Sequence, residues 1–377
     1  MKLFDRYLVA SAVGLVCMGL LMVASASMVI SDRTFGEPFY FLLHQTVFLV
    51  VGIGFSWFLF RFNMDQWKNI SSQLLLLSLL LLSLVLVPGL GHEVNGSMRW
   101  LGIGPLGLQV SEFAKLAMII YLASYLVRRH EEVKNRIRGF LKPLLIIGVM
   151  AALLLKEPDF GAMAVIVTTS LGMLFLAGVR IWQFIFLLLV AVLILAILAV
   201  SSPYRVERLT TFMNPWANAY ASGYQLTQSL IAFGHGGWFG VGLGHSTQKL
   251  FYLPEAHTDF LFAVLAEELG LIGSLFIVGL YCLFVIRGLW IGYSSYRQKL
   301  FFSAYVAYGI SLWLIIQAIV NIGVNTGLLP TKGLTLPLMS YGGSSMMIDC
   351  IAIMLLFRID YETRVYKAGI HREVWQS

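Results

Sequence analysis

Phe251–Phe260 reads FYLPEAHTDF and runs directly into an apolar stretch that begins at Leu261. It places Glu255, His257 and Asp259 within five residues at what reads as a membrane boundary. Ionisable groups at such a boundary are costly unless paired or wetted, so by default they mark a functional cavity. The plainer account is an exposed loop in which Thr258 and Asp259 begin the next helix, since both are good residues at a helix N-terminus. The stretch alone supports the two accounts about equally, and the rest of the chain has to separate them.

Working outward, the 377 residues are 59% hydrophobic and only 12% charged, with a mean hydropathy of +0.82. That is too apolar for a soluble protein of two or three domains and fits an all-α polytopic membrane protein. The net charge of +7 does not indicate nucleic acid, because the basic residues are spread over short loops instead of forming one patch. Cys17, Cys282 and Cys350 stand singly in apolar runs and read as small core hydrophobes. The first apolar run is longer than a signal-peptide core and has no convincing cleavage site after it, so it reads as a retained span.

A bilayer crossing takes about 20 apolar residues. Ten runs approach that length: 7–30, 40–60, 69–88, 111–128, 140–156, 160–178, 181–200, 260–286, 300–326 and 341–358. Short cytoplasmic loops carry excess Lys and Arg. Ten crossings with both termini in the cytoplasm put 18 of the 26 basic residues inside, which supports that topology. The chain is then a single transmembrane domain over 1–377 with large outer loops at 89–110 and 201–258 and an inner tail at 359–377. These outer loops are rich in Gly, Pro and aromatic residues, including Trp216, Tyr220, Trp238 and Tyr252. Such a composition argues against disorder and for an ordered cap over a lipid-accessible cavity.

Three motif matches carry little weight. Gly102-Ile-Gly104-Pro-Leu-Gly107 fits a dinucleotide-binding pattern without the strand and helix that give it meaning. Asn95-Gly96-Ser97 matters as a glycosylation acceptor only in a eukaryotic secretory setting. His235, His245 and His257 lack zinc spacing and have no nearby cysteine, so no metal site is expected.

The outer face nevertheless gathers residues suited to an anionic ligand. Arg99 beside Trp100 can form paired bonds to phosphate oxygens, although both residue types also serve as interfacial anchors. Glu112 and Lys115 lie three apart on one helix face, where mutual neutralisation is the better account. Lys156, Glu157 and Asp159 surround Pro158 at the end of a run, and Glu267 and Glu268 stand early in the eighth run, facing a cavity or pairing with a base. Lys332 sits in LPTKGLTLPLMSYGGSS, whose Pro and Gly spacing suits irregular backbone beside a cavity. An outer cavity with cations and a carboxylate cluster implies a ligand anionic at one end and apolar at the other, a lipid phosphate. Asp259 would be the general base of a transferase, or the same charges would line the head-group path of a transporter.

KEPDFGA, NPWANAYASGYQLTQSLIAFGHGGWFGVGLG, YLPEAHTDFLFAVLAEELG and LPTKGLTLPLMSYGGSS resemble the signature stretches of the SEDS family of bacterial cell-wall synthesis proteins, over essentially the whole chain. Within that family they look like the cell-division branch more than the elongation branch. The resemblance implies a ten-span glycosyltransferase of the bacterial inner (cytoplasmic) membrane, at the division septum, that polymerises lipid II into glycan strands. It also implies as partners a class B penicillin-binding protein, other divisome membrane proteins and membrane lipids. The family's aspartate in the HTDF motif corresponds to Asp259, which would deprotonate the acceptor sugar hydroxyl as undecaprenyl pyrophosphate departs. Arg99, Lys115 and Lys332 then become candidates to stabilise the pyrophosphate. Glu112, Asp159, Glu255, His257 and Ser340 complete the expected substrate-binding set, with Glu255 and His257 shaping the loop and tuning the aspartate. The resemblance establishes no cofactor with certainty and leaves a divalent cation, Mg or Mn, open. Two departures from the family pattern stand out. Glu157 replaces the usual glutamine, with Lys156 beside it to neutralise the added charge, and Phe251 stands where the division branch often has an acid. A lipid II flippase, or a membrane scaffold that recruits the penicillin-binding protein, would be the competing roles.

Overall fold

The computed structural model describes residues 4–94, 97–103, 106–135, 137–179, 211–331 and 333–368, with scattered positions between 182 and 200. The helices are α1 (Arg6–Phe35), α2 (Tyr40–Leu59), α3 (Met64–Val85), α4 (Val110–Arg128), α5 (His130–Asn135), α6 (Ile137–Lys156), α7 (Phe160–Leu176), α8 (Tyr224–Gly236), α9 (Leu261–Arg297), α10 (Phe301–Asn325) and α11 (Gly343–Lys367). Among the described residues, α1, α2, α3, α4, α9 and α10 are long and apolar enough to cross a membrane, which makes this a multi-pass membrane protein. The apolar run 181–200 falls mostly outside the described residues, as do 201–210 of the second outer loop and 369–377 of the expected tail.

Polar residues set the helix limits. The Asp5 carboxylate caps α1 by accepting from Tyr7 N at 3.1 Å and Leu8 N at 2.9 Å, and Gly36, with φ 71°, ends it in the left-handed region. Asn63 and Gln66 form a reciprocal capping box at the start of α3. Turns of a few residues join α1 to α2 and α2 to α3, so successive helices lie antiparallel. At the centre is α4, with 83% of its apolar window buried against 17% for α2, and α10 packs against α4, α7 and α9.

Two sequence expectations need correction. The fold is not purely helical, because β1 (Gly91–Val94), β2 (Ser97–Ile103) and β3 (Leu106–Gln109) form an antiparallel sheet within the first outer loop. Of the dinucleotide-like glycines, Gly102 on β2 pairs with Gly107 on β3, and Gly104 lies outside the described residues. Gly107 also leaves space for the Trp100 ring, which a Cβ there would meet at 3.0 Å. Second, Cys17 and Cys282 are exposed on the outside of the bundle, and only Cys350 is buried. The first residues of the expected tail are helical, since α11 runs to Lys367. Ion pairs four residues apart, Arg358 with Glu362 at 2.7 Å and Arg364 with Asp360 at 2.8 Å, sustain the helix where hydropathy fails.

The bundle has two unlike ends. At one, the start of α1 meets the C-terminal ends of α9 and α11: Asp5 accepts from the Arg287 guanidinium, with Nε at 3.0 Å, while Asp5 N donates to Asp360 Oδ2 at 2.8 Å. The α2–α3 turn joins them through Arg358 Nη1 to Phe60 O at 3.0 Å and Met64 N to Glu362 Oε1 at 3.1 Å. We call this the closed end for the ion pairs that cross it, although a cavity of about 370 Å³ lined by Asp5, Trp290, Asp360 and Arg364 opens there. The other, the mouth, carries the sheet, α8 and the long loop that ends at Asp259.

At the mouth α9 is broken at Gly270, whose φ of 69° and ψ of −167° are not helical. The backbone groups freed by the break are taken up by the segment after α8. Val241 N donates to Glu267 O at 3.0 Å and Gly242 N to Glu268 O at 3.1 Å, while Leu271 N donates to Gly237 O at 2.9 Å and Ile272 N to Trp238 O at 3.2 Å. Irregular backbone survives at membrane depth only when satisfied in this way. Glu267 and Glu268, left open between cavity and ion pair by the sequence, lock the same loop. Glu268 pairs with Lys249 at 2.8 Å and accepts from Ser25 of α1, and Glu267 accepts from Thr247 Oγ1 at 2.9 Å and from the Ser246 hydroxyl.

Candidate active site

The last turns of α10 position Asp259. Asn321 Nδ2 donates to Asp259 O at 2.9 Å and to Leu334 O at 2.6 Å, and Asn325 Nδ2 donates to Asp259 O at 3.0 Å. Asn325 Oδ1 accepts from Ala263 N at 3.1 Å and so also fixes the first turn of α9. The aspartate carbonyl is therefore held by two amides from one helix, and its half-buried side chain projects from a clamped backbone. Beside it runs the irregular segment before α11. A Cβ at Gly333 would stand 3.0 Å from Asp259 Oδ2, so glycine there keeps the carboxylate uncrowded.

Glu255 builds the turn ahead of the aspartate. It adopts φ 57°, its carbonyl accepts from Thr258 N at 3.2 Å and Phe260 N at 3.1 Å, and its Oε2 accepts from Thr258 Oγ1 at 2.7 Å. His257 is buried with its ring 4.5 Å from Phe41 and 5.6 Å from Tyr341, and its carbonyl accepts from Tyr341 N at 3.0 Å. These contacts fix the turn that leads into Asp259.

The second group comes from β2 and the α6–α7 turn. Arg99 Nη2 donates to Pro158 O at 2.7 Å, and its Nε lies 3.9 Å from Asp159 Oδ2. Asp159 caps α7 through Oδ1, which accepts from Ala162 N at 3.0 Å. Glu157 is fully buried, and neither carboxyl oxygen has a hydrogen-bond partner. Lys156 is exposed at the end of α6, so it does not bury with Glu157 as the sequence suggested; the cation that acts on Glu157 is Arg99.

The two groups sense one another. Burial, then the charges of Glu255 and Asp159, push the Asp259 carboxyl up to about 7, against the pull of Arg99. Burial and then Asp159 push Glu157 up to about 8, again opposed by Arg99. Burial pulls His257 down despite Glu255, so its imidazole is neutral at pH 7. A carboxylate titrating near neutrality beside a guanidinium is what proton abstraction coupled to departure of an anion requires.

Other expected residues are placed differently. Lys115 Nζ donates to Glu112 Oε1 at 2.8 Å and Gln317 Oε1 at 2.6 Å and stands 5.1 Å from the Trp313 ring centre, with both charged residues buried in the core. The mutual neutralisation read from their spacing is what occurs. The Ser340 hydroxyl accepts from Leu336 N at 2.9 Å, closing a buried turn that Gln45 holds through Ser340 O at 3.1 Å. Lys332 lies outside the described residues. Among the described residues, no group of three or more His, Cys, Asp or Glu is placed to hold a metal ion.

The sequence reading missed Asn321, Asn325, Gln317 and Gly333. A usable signal was present: Gln317, Asn321 and Asn325 recur every four residues, forming an amide stripe along an otherwise apolar helix. Amides inside a membrane helix bond across helices.

The chain is similar to known proteins over nearly its whole length. The FtsW/RodA/SpoVE family model, described as a cell cycle protein, matches residues 5–365. The "probable peptidoglycan glycosyltransferase FtsW" of Legionella pneumophila is 57% identical over 369 residues, covering 98% of this chain and 94% of the relative. Its namesake in Coxiella burnetii is 56% identical, covering 96% and 97%. A solved chain from work on the structural coordination of polymerization and crosslinking by a peptidoglycan synthase complex aligns with a TM-score of 0.80 at 28% identity, covering 96% of this chain and 99% of its own. The rod shape determining protein RodA of Thermus thermophilus aligns with a TM-score of 0.70 at 28% identity, covering 95% and 96%.

Proposed function

This chain belongs to the FtsW/RodA/SpoVE family of cell cycle proteins, and from that premise we propose how it performs its chemistry. It is a peptidoglycan glycosyltransferase, the activity named for relatives more than half identical to it along nearly the whole chain. In our reading the substrate is lipid II, and the mouth opens on the outer side of the inner membrane. There α6, α7, α11 and the run 181–200 join the six long apolar helices to make ten crossings with both termini cytoplasmic.

Asp259 takes the proton of the acceptor sugar hydroxyl as that oxygen bonds to the anomeric carbon of the donor. The bond from that carbon to the pyrophosphate oxygen breaks, and undecaprenyl pyrophosphate leaves with the bonding pair. Arg99 faces the charge that grows on the leaving group, with Lys332, next to Gly333 in the chain, assigned the same task. Glu255, His257 and Asp159 hold the loop and the cation in place, while Glu112, Lys115 and Ser340 act from the packed interior. The observation that carries this reading is the double amide clamp on the Asp259 carbonyl beneath a carboxyl raised to about 7. A class B penicillin-binding protein as partner, and work at the septum with other divisome proteins, fit the match to a synthase complex that couples polymerization to crosslinking.

The test is polymer formation from purified lipid II by the chain together with its penicillin-binding partner, the latter disabled for crosslinking. Wild type should polymerise with a rate that rises with pH through about 7 as Asp259 ionises. A folded, partner-bound Asp259→Asn should lose about 1,000-fold, within the range of a lost general base. Equal rates would remove Asp259 from the chemistry. No polymer from any form, with lipid II crossing liposomes, would replace the polymerase with a flippase.

A further inference from the structure

Glu157 is fully buried, both of its carboxyl oxygens lack partners, and it stands in the turn that presents Asp159 to Arg99. A carboxylate left that way is expensive, and the ordinary resolution is for the group to hold its proton. Its charged surroundings are Arg99 from β2, Asp159 from its own turn and, beyond these, Glu255 and Asp259, which also act on the same cluster. Lys156 on α6 is exposed. On α4, Glu112 and Lys115 are engaged with each other. The helix α7 has no ionisable residue; on α3 and α5 these are Asp65 and Lys68 in the first turns of α3 and His130, Glu131, Glu132 and Lys134 in α5, at the closed end, and on α10 they are Tyr305 and Tyr308.

We propose that Glu157 is a positioning residue that works while uncharged: its neutral carboxyl leaves the Arg99 charge available to the substrate pyrophosphate, and its ionisation withdraws that charge. With the proton on, the Arg99–Asp159 pair is balanced by itself. With the proton off, the turn carries an excess negative charge that competes for the guanidinium and repels a phosphate. This rests on the assignment of Arg99 to the leaving group made above.

The comparison is wild type against Glu157→Gln, each with its partner, from about pH 6.5 to about pH 9. Two arms are expected in wild type, a rise through about 7 as Asp259 ionises and a fall through about 8 as Glu157 does. Above that, kcat/KM of wild type should drop about fivefold or more, mostly through KM, while Glu157→Gln stays within about twofold of its maximum. Parallel falling arms in the two proteins would overturn the proposal, as would a folded Glu157→Gln that is inactive at pH 7.

A second readout does not need turnover. Because the folded acid binds its proton more tightly than the unfolded one, its stabilising contribution is full below about 4.5 and is lost as pH rises to about 8. The apparent Tm of wild type should therefore fall relative to Glu157→Gln across that window, with a constant gap above it. Equal pH slopes would show that Glu157 is not protonated in the fold. If wild type makes no polymer at any pH, the polymerase reading has failed, and the Tm slopes still decide the state of Glu157.

Discussion

The two ends of the bundle use the same residue types to opposite effect. At the closed end, Asp5 and Asp360 meet Arg287 and Arg364: the Asp5 carboxylate accepts from Tyr7 N, Leu8 N and the Arg287 guanidinium, and the Asp360 carboxylate accepts from Asp5 N and from Arg364. At the mouth, Arg99 pairs with Asp159 and acts on Glu157 and Asp259, Glu255 adds its charge to that of Asp259, and burial raises Glu157 to about 8 and Asp259 to about 7. Matched charge fastens helices together. Mismatched charge, held by backbone clamps and an N-cap instead of by counter-ions, leaves groups that can exchange a proton near neutrality.

That contrast can be broken from either side. The largest expected effect lies at the closed end: Asp5→Ala strands Arg287 and removes the α1 cap, and should lower stability by about 3 kcal/mol. Thermal unfolding checks this, while polymerisation per folded molecule should stay unchanged. At the mouth, Asn325→Ala removes one of the two acceptors of Ala263 N, leaving it Phe260 O alone, and halves the clamp on Asp259. It should cost about 2 kcal/mol in stability and about tenfold in kcat, read by single-turnover polymerisation with lipid II saturating. Loss of stability at unchanged kcat would show that the clamp serves folding alone. The smallest change is Gly333→Ala, which brings a methyl to 3.0 Å from Asp259 Oδ2. A drop of a few-fold in kcat, with Tm within about 1 °C of wild type, would place the crowding at the carboxylate, because surface-like substitutions away from the core change stability little.

Much of this contrast was legible in the chain itself. Charges at the edges of apolar runs are rare enough to stand out, so Arg99, Asp159 and Asp259 could be read directly, and helix spacing was enough to pair Glu112 with Lys115. What escaped was whatever depends on packing between elements distant in sequence. Asn321 and Asn325 look like ordinary polar interruptions of a helix until the loop they hold is brought 62 and 66 residues back to them. Glu157 has an adjacent lysine as its obvious partner, and only the fold shows that one side chain is buried and the other exposed. The strands at 91–109 hide among glycines and a proline that read as a loop, and the break at Gly270 sits inside a continuous apolar run that hydropathy cannot divide.

Chimeras with relatives will have to respect that break. Residues 237–242 supply backbone partners for 267–272, and Lys249 and Ser246 tie the intervening loop to Glu268 and Glu267. Neither half is an exchangeable module: a crossover between them joins a loop from one parent to a helix from the other across a hydrogen-bonded seam. Moving 236–272 as one block keeps the seam intact, so the heritable unit that carries Asp259 is a loop and a half-helix together.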